Sequence, residues 1–489
     1  VFLHADFSLG RTLGKILTTV PGAERIKVID QPAERVALLV TLLRTFRVLD
    51  RVNPESQVPM PASPRPGEAE LDALDLLNAN SGDFMRPIAL FNRIDLTPQN
   101  RRYCGEHRIV YAKGAPTPQG TDRMFLIFEA AVDNPANQNP AATAEDRVRG
   151  CQRIADFWSS MQTTGDPAVI APRLAAFYYD GELGDGGAGF DPVVHHTHFG
   201  FPFGQIRGNL FVNGGAGNPW MLREWRTSIN TDGNAVFVAD TVKSNPHPDL
   251  YAETVVGSPD LADLLADFQE SFRINYVREL IELELRGRQA ASPPTADELF
   301  SQLSARFDDR FNTFESNSQS DDHDPWTRAK GTHLALDVER ELRNFAFAPR
   351  MALTPEHIFN RAGALSCAGC HQLSVDKPIA PSILWPKVAG NFVHIRENGE
   401  LSEALTDHFL PARCDNLQTI ISPVEVAEVE ETVPPKTMDQ LSLALKHFST
   451  AEGDFAKTQA LQVIEKSVDE ARSQDARSPG AFIPFRRTH

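Results

Sequence analysis

The sequence predicts an α+β fold: an antiparallel β-rich domain, helical regions before and after it, and a small helical segment near residues 350–422. Three observations predict it. Short apolar or alternating runs between residues 85 and 255 are separated by glycine, proline and asparagine, which is how strands and their turns read. Apolar residues recur at helical spacing on both sides of that stretch. Long irregular connections, rather than regular β-helix-β units, join the strand runs, which favours an antiparallel sheet with an α insertion.

Residues 1–84 form an N-terminal helical region and a linker. Val36, Leu39, Leu42, Leu43 and Phe46 lie at helical spacing between Glu34 and Val52. The prolines at 59, 61, 64 and 66 then forbid a continuing helix. Residues 85–255 form the β-rich domain. Ile88–Phe91, Arg108–Tyr111, Met124–Phe128, Leu174–Tyr179, Gln205–Val212 and Ala235–Val242 are its strand candidates, with a helix expected from Ala144 to Met161. Two glycine-rich stretches, 181–189 and 213–219, lack the strand–loop–helix setting of a phosphate cradle and read as turns. Residues 256–349 return to helix, with Leu261, Leu264, Leu265 and Phe268 on one stripe and Ile274, Val277, Ile281 and Leu285 on another. Residues 350–422 carry a cysteine motif. An acidic linker and a last amphipathic helix, with Leu441, Leu445, Phe448, Leu461 and Ile464, fill residues 423–489.

The 489 residues carry a net charge of −17. A surface this acidic repels phosphate backbones, so nucleic-acid binding is disfavoured, and a partner docking here is expected to present a basic face. No run reaches the roughly 18 consecutive apolar residues that a spanning helix needs. The chain opens on Val1 with no visible signal peptide, as a processed exported protein would.

Five cysteines are present: Cys104, Cys151, Cys367, Cys370 and Cys414. Two belong to the string Leu365-Ser366-Cys367-Ala368-Gly369-Cys370-His371. With five cysteines and 14 histidines in the chain, chance supplies roughly 0.0015 such C-x-x-C-H strings. The spacing suits covalent haem: two thiols add to two vinyl groups, the adjacent imidazole ligates iron, and the small Ala368 and Gly369 let the turn lie against the macrocycle. A Cys367–Cys370 disulfide and half of a zinc site are the alternatives. No second C-x-x-C and no H-x₃-H string accompanies it, as a zinc site would want. The remaining three cysteines allow one disulfide, Cys104–Cys151 among the pairings, which leaves Cys414 unpaired and requires an oxidising compartment.

Upstream, Thr354-Pro355-Glu356 is a helix start, and the helix is expected to run to the cysteines. With Lys377-Pro378-Ile379-Ala380-Pro381 downstream, the region resembles the c-type cytochromes over about an eighth of the chain. The resemblance implies one covalent haem c held by Cys367, Cys370 and His371. It also implies that a carbonyl of the 377–381 loop orients the His371 imidazole. A sixth ligand would come from downstream, with His394 favoured for its apolar flanks over His408 and Met438; Met351 and His357 precede the motif.

The expected role is that of an exported monohaem c-type protein, periplasmic or extracellular in a bacterium. It would carry electrons to a redox partner or serve as the redox subunit of a larger assembly. Two rivals are an enzyme with an open haem site, for which Arg396 is a distal candidate, and a non-catalytic envelope protein with a Cys367–Cys370 disulfide. Elsewhere, His195-His196-Thr197-His198 offers copper or zinc ligands if it is a strand, against a plain surface run. Asp321-Asp322-His323-Asp324 offers calcium ligands, against a solvated acidic turn.

Overall fold

The computed structural model of the chain describes residues 6–417, apart from 22–31, 99, 116–121, 163–165, 188, 201–202, 213–219, 257, 278–306, 318–320, 345–351, 389–392, 397–398, 412 and 415–416. The second glycine-rich stretch, Ile281 and Leu285, Met351, the acidic linker, Met438 and the last helix lie outside the described residues.

The fold is α+β. Seven antiparallel strands form one sheet: β1 (Met85–Arg93), β2 (Tyr103–Lys113), β3 (Met124–Asp133), β4 (Gln205–Leu210), β5 (Met221–Ile229), β6 (Ala235–Asp240) and the short β7 (Ser316–Asn317). The first six pair in sequence order, and β7 pairs with β5. A bulge in β2 is built on Gly105, whose φ of 70° places it in the left-handed region. A Cβ there would stand 2.3 Å from the Arg93 carbonyl oxygen.

Alternation gives the sheet two faces. Ile109, Tyr111, Leu126, Phe128, Ile206 and Trp225 point to one of them and build the larger apolar core. Helices α1 (Leu9–Thr19), α2 (Pro32–Arg44), α3 (Ala144–Gln162) and α4 (Pro167–Asp180) contribute to that core. Helix α4 corrects the strand expected at Leu174–Tyr179. Asp166 caps it by accepting from the Ala168 N–H, Pro167 opens it and Gly181 closes it in the left-handed conformation. Leu174, Phe177 and Tyr178 are then three and four apart on one buried face. Cys104 of β2 and Cys151 of α3 form a disulfide, which ties that helix to the sheet.

The opposite sheet face meets the C-terminal half of the described chain. That half holds α5 (Pro259–Ser271), α6 (His333–Asn344), α7 (Pro355–Ala364) and a two-stranded hairpin, Pro378–Ala380 with Ile383–Leu384. Its core gathers Leu261, Leu264, Phe268, Phe272, Phe359, Cys370 and Trp385, joined by Val58 and Met60 of the proline-rich linker. Among the described residues no helix is long and apolar enough to cross a membrane.

Candidate functional site

Helix α7 starts as expected. The Thr354 hydroxyl accepts from the His357 N–H at 3.4 Å, His357 Nδ1 accepts from the Thr354 N–H at 3.1 Å, and Pro355 fills the first turn. It does not run to the cysteines; it ends at Ala364. The Ser366 hydroxyl donates to the Gly363 carbonyl at 2.8 Å and accepts from the Gly369 N–H at 2.9 Å. That side chain satisfies backbone groups that a continuous helix would have paired, so the chain turns and restarts as one widened helical turn, Gly369–Leu373. A Cβ on residue 369 would stand 1.8 Å from the Gly363 carbonyl oxygen. Gly369→Ala should therefore force the turn off α7, and thermal melting of the variant should fall by several degrees. An unchanged melting temperature would mean the turn has slack that this contact denies.

The turn carries Cys367 and Cys370 as unbonded thiols, 2% and 1% exposed, with His371 buried beside them. Burial pushes the Cys367 thiol well up and the Cys370 thiol up to about 12, so both stay protonated at neutral pH. Cys367 packs with Trp220, Leu222, Val242 and Ala368. The Trp220 ring lies 5.2 Å from the His371 ring, and the Trp385 indole N–H donates to the Cys370 carbonyl at 3.3 Å.

His394 comes to the same place from 23 residues downstream of His371. Its ring lies 4.9 Å from that of His371 and 5.8 Å from Phe409. Its Nε2 is 3.4 Å from Cys370 Sγ, and its Nδ1 is 3.1 Å from the Ser402 hydroxyl. Burial, then the neighbouring His371 and Arg413, holds the imidazole well below the usual histidine range, so it is neutral. A small bridge between Ile395 and Leu401 and the Ser402 N–H donating to the His394 carbonyl at 2.8 Å shape this segment.

The other sequence candidates sit elsewhere. His408 lies on the turn Ala404–Phe409, half-buried, and His357 serves in the cap of α7. Arg396 is exposed and paired with Glu400 at 3.2 Å. Residues 378–380 are a strand rather than a loop, and the Pro378 carbonyl accepts from the Asn360 amide at 2.8 Å. The 195–198 run is a short 3₁₀ turn, not a strand, with His198 buried. Asp324 caps the short helix Pro325–Ala329 and pairs with Lys377 at 2.7 Å. Among the described residues no group of three or more His, Cys, Asp or Glu is arranged to hold a metal ion.

Sequence reasoning missed what lies beneath the turn. Glu106 and Arg108 of β2, Glu129 of β3, Arg207 of β4 and Glu224 of β5 alternate onto the sheet face opposite the larger core, and all five are buried. Arg108 reaches Glu106 at 2.7 Å and Glu129 at 3.2 Å; Arg207 reaches Glu129 at 3.5 Å and Glu224 at 3.0 Å. Gln205 bonds Glu129 and accepts from Lys243 at 3.2 Å. The signal was present as charged residues two apart on strands, which reads equally as a solvent-facing side.

The donor set fits covalent haem: two reduced thiols and an imidazole on one turn, with a second neutral imidazole facing them. His394 Nε2 is engaged with the Cys370 thiol, so ligation of iron through that nitrogen requires this contact to be given up. Comparison with protein-family models, with curated proteins and with solved structures finds no match to this chain.

Proposed function

We propose that this chain is an exported monohaem c-type cytochrome-like protein. It would pass electrons to a partner with a basic docking face or serve as the redox subunit of a larger assembly. The observation that carries the reading is the gathering of Cys367, Cys370, His371 and His394 into one buried site with both thiols unbonded. The Cys104–Cys151 disulfide supports an oxidising compartment.

In this reading Cys367 and Cys370 would tether haem c through thioethers, and His371 and His394 would hold its iron. When bound, the haem supplies a one-electron iron couple. The protein's share is orientation and exclusion of water. Trp220 lies over one side of His371, Ser402 fixes the tilt and tautomer of His394, and Phe409 closes the apolar wall beside it.

Intact-mass analysis of native protein, with oxidised and reduced optical spectra, tests the proposal. One covalent haem and a Soret band are expected. Cys367→Ser and Cys370→Ser should each leave a single thioether, and the double variant none. His394→Ala should keep the covalent haem but let its iron bind carbon monoxide. A colourless protein whose thiols at 367 and 370 are both free or joined to each other overturns the proposal.

A further inference from the structure

The buried charge beneath the motif invites a question that stability alone does not answer. Replacing buried ion pairs by apolar residues of similar volume is often neutral or stabilising, so a sheet does not need them to hold together. Five such groups occupy adjacent strands directly under the cysteine turn.

We propose that this charged row sets the reduction potential of the group held by Cys367, Cys370 and His371, and that Glu224 is its most influential carboxylate. The proposal rests on the haem reading above.

Placement carries the argument. Glu224 and Leu222 share one face of β5, two residues or about 7 Å apart. Leu222 packs against Cys367. Leu222 also pairs with Ser316 of β7, whose hydroxyl accepts from the Ala368 N–H at 2.8 Å, so the turn is fastened to the sheet at this point. Trp220, next to the start of β5, lies against His371. Arg207, Glu224 and Glu129 are accordingly the charges that act on the Cys367 thiol. The row holds three carboxylates, Glu106, Glu129 and Glu224, against two guanidinium groups, Arg108 and Arg207. Lys243 adds a cation at the margin through Gln205.

Salt screens buried charges much less than exposed ones, so each of these groups acts on the site. Oxidation adds one positive charge to the iron. A carboxylate nearby stabilises that state and lowers the potential, whereas a cation raises it. Glu224→Gln keeps the size and hydrogen-bonding reach of the side chain and removes its charge, so the reduced state gains.

The test uses the haem-bearing full chain. Midpoint potentials are measured by spectroelectrochemistry for wild type, Glu224→Gln, Glu129→Gln and Lys243→Gln, with Asp185→Asn as a control at the exposed Arg153–Asp185 pair. Circular dichroism and intact mass accompany each sample. Glu224→Gln is expected to shift the redox equilibrium about tenfold toward reduced iron, which is about 59 mV for one electron. Glu129→Gln should move it the same way by less, Lys243→Gln the opposite way, and Asp185→Asn less than twofold. Lys243 lies at the margin of the row, so its variant keeps the proposal testable if either carboxylate variant fails to fold. Folded, haem-bearing row variants whose redox equilibria all stay within twofold of wild type overturn this inference while leaving the haem reading intact. A wild-type protein without covalent haem overturns both, and the mass spectrum identifies that case before any potential is measured.

Discussion

Arg207→Met is expected to destabilise the protein by about 3–5 kcal/mol, the cost of leaving a buried charge without its partner. Arg207 stands between Glu129 and Glu224, both nearly inaccessible to water. Burial and these two carboxylates act on it in opposite directions, and the carboxylates win, holding its guanidinium pKa above the ordinary arginine value. Methionine has a similar length and no charge, so the two carboxylates would face each other across an apolar gap. Chemical unfolding followed by far-ultraviolet circular dichroism measures the loss. Arg207→Met combined with Glu224→Gln should be less damaging than the separate losses summed, because the two changes share a partner. A variant within about 1 kcal/mol of wild type would show that water reaches Glu129 and Glu224.

The same residues show which parts of this protein are legible in its sequence. The strands at 124–133 and 235–240 and the helix at 144–162 are local patterns, and they appear where periodicity places them. The stretch 174–179 is six apolar residues, too short for period to separate strand from helix; the deciding groups are the Asp166 cap and Gly181 stop that flank it. The cysteine motif is legible because its donors are adjacent in sequence. His394 is legible by its apolar neighbours, but its contacts with Cys370 and Ser402 are tertiary. The charged row is the clearest case of illegibility. Glu106-x-Arg108 reads as the wet side of a strand, and only the C-terminal half, arriving more than 200 residues later, turns that side into an interior. No local pattern announces such a cover.

Lowering the pH from 7 to 5 should weaken the protein steeply, chiefly through histidines buried in neutral form. His107 is the strongest case. Its Nδ1 accepts from the Trp158 indole N–H at 3.1 Å, and its Nε2 lies 3.2 Å from the Cys104 carbonyl, to which it can donate. A second proton would have to go on Nδ1, against the indole N–H, in a site closed to water. Burial, partly opposed by the Cys104 carbonyl, accordingly holds its pKa at about 3. His195 and His247, partly buried, are each held at about 4, burial again the leading cause. In the unfolded chain these groups titrate near 6.5, so below that pH the unfolded state binds more protons than the folded one. Stability is then fully present above about pH 7 and is lost progressively as pH falls toward 3. At pH 5 His107 alone accounts for about 2 kcal/mol. Glu55, raised to about 7 by partial desolvation and the charges of Asp309 and Asp308, acts in the opposite sense. It lies on the surface, however, where solvent screens it and reduces its offset. Unfolding free energies of wild type and His107→Gln at pH 7.5, 6 and 5 measure the slope. The variant should lose about 2 kcal/mol less than wild type over that span. Parallel slopes would mean that His107 is already charged in the folded protein, which is incompatible with the indole donating to its Nδ1.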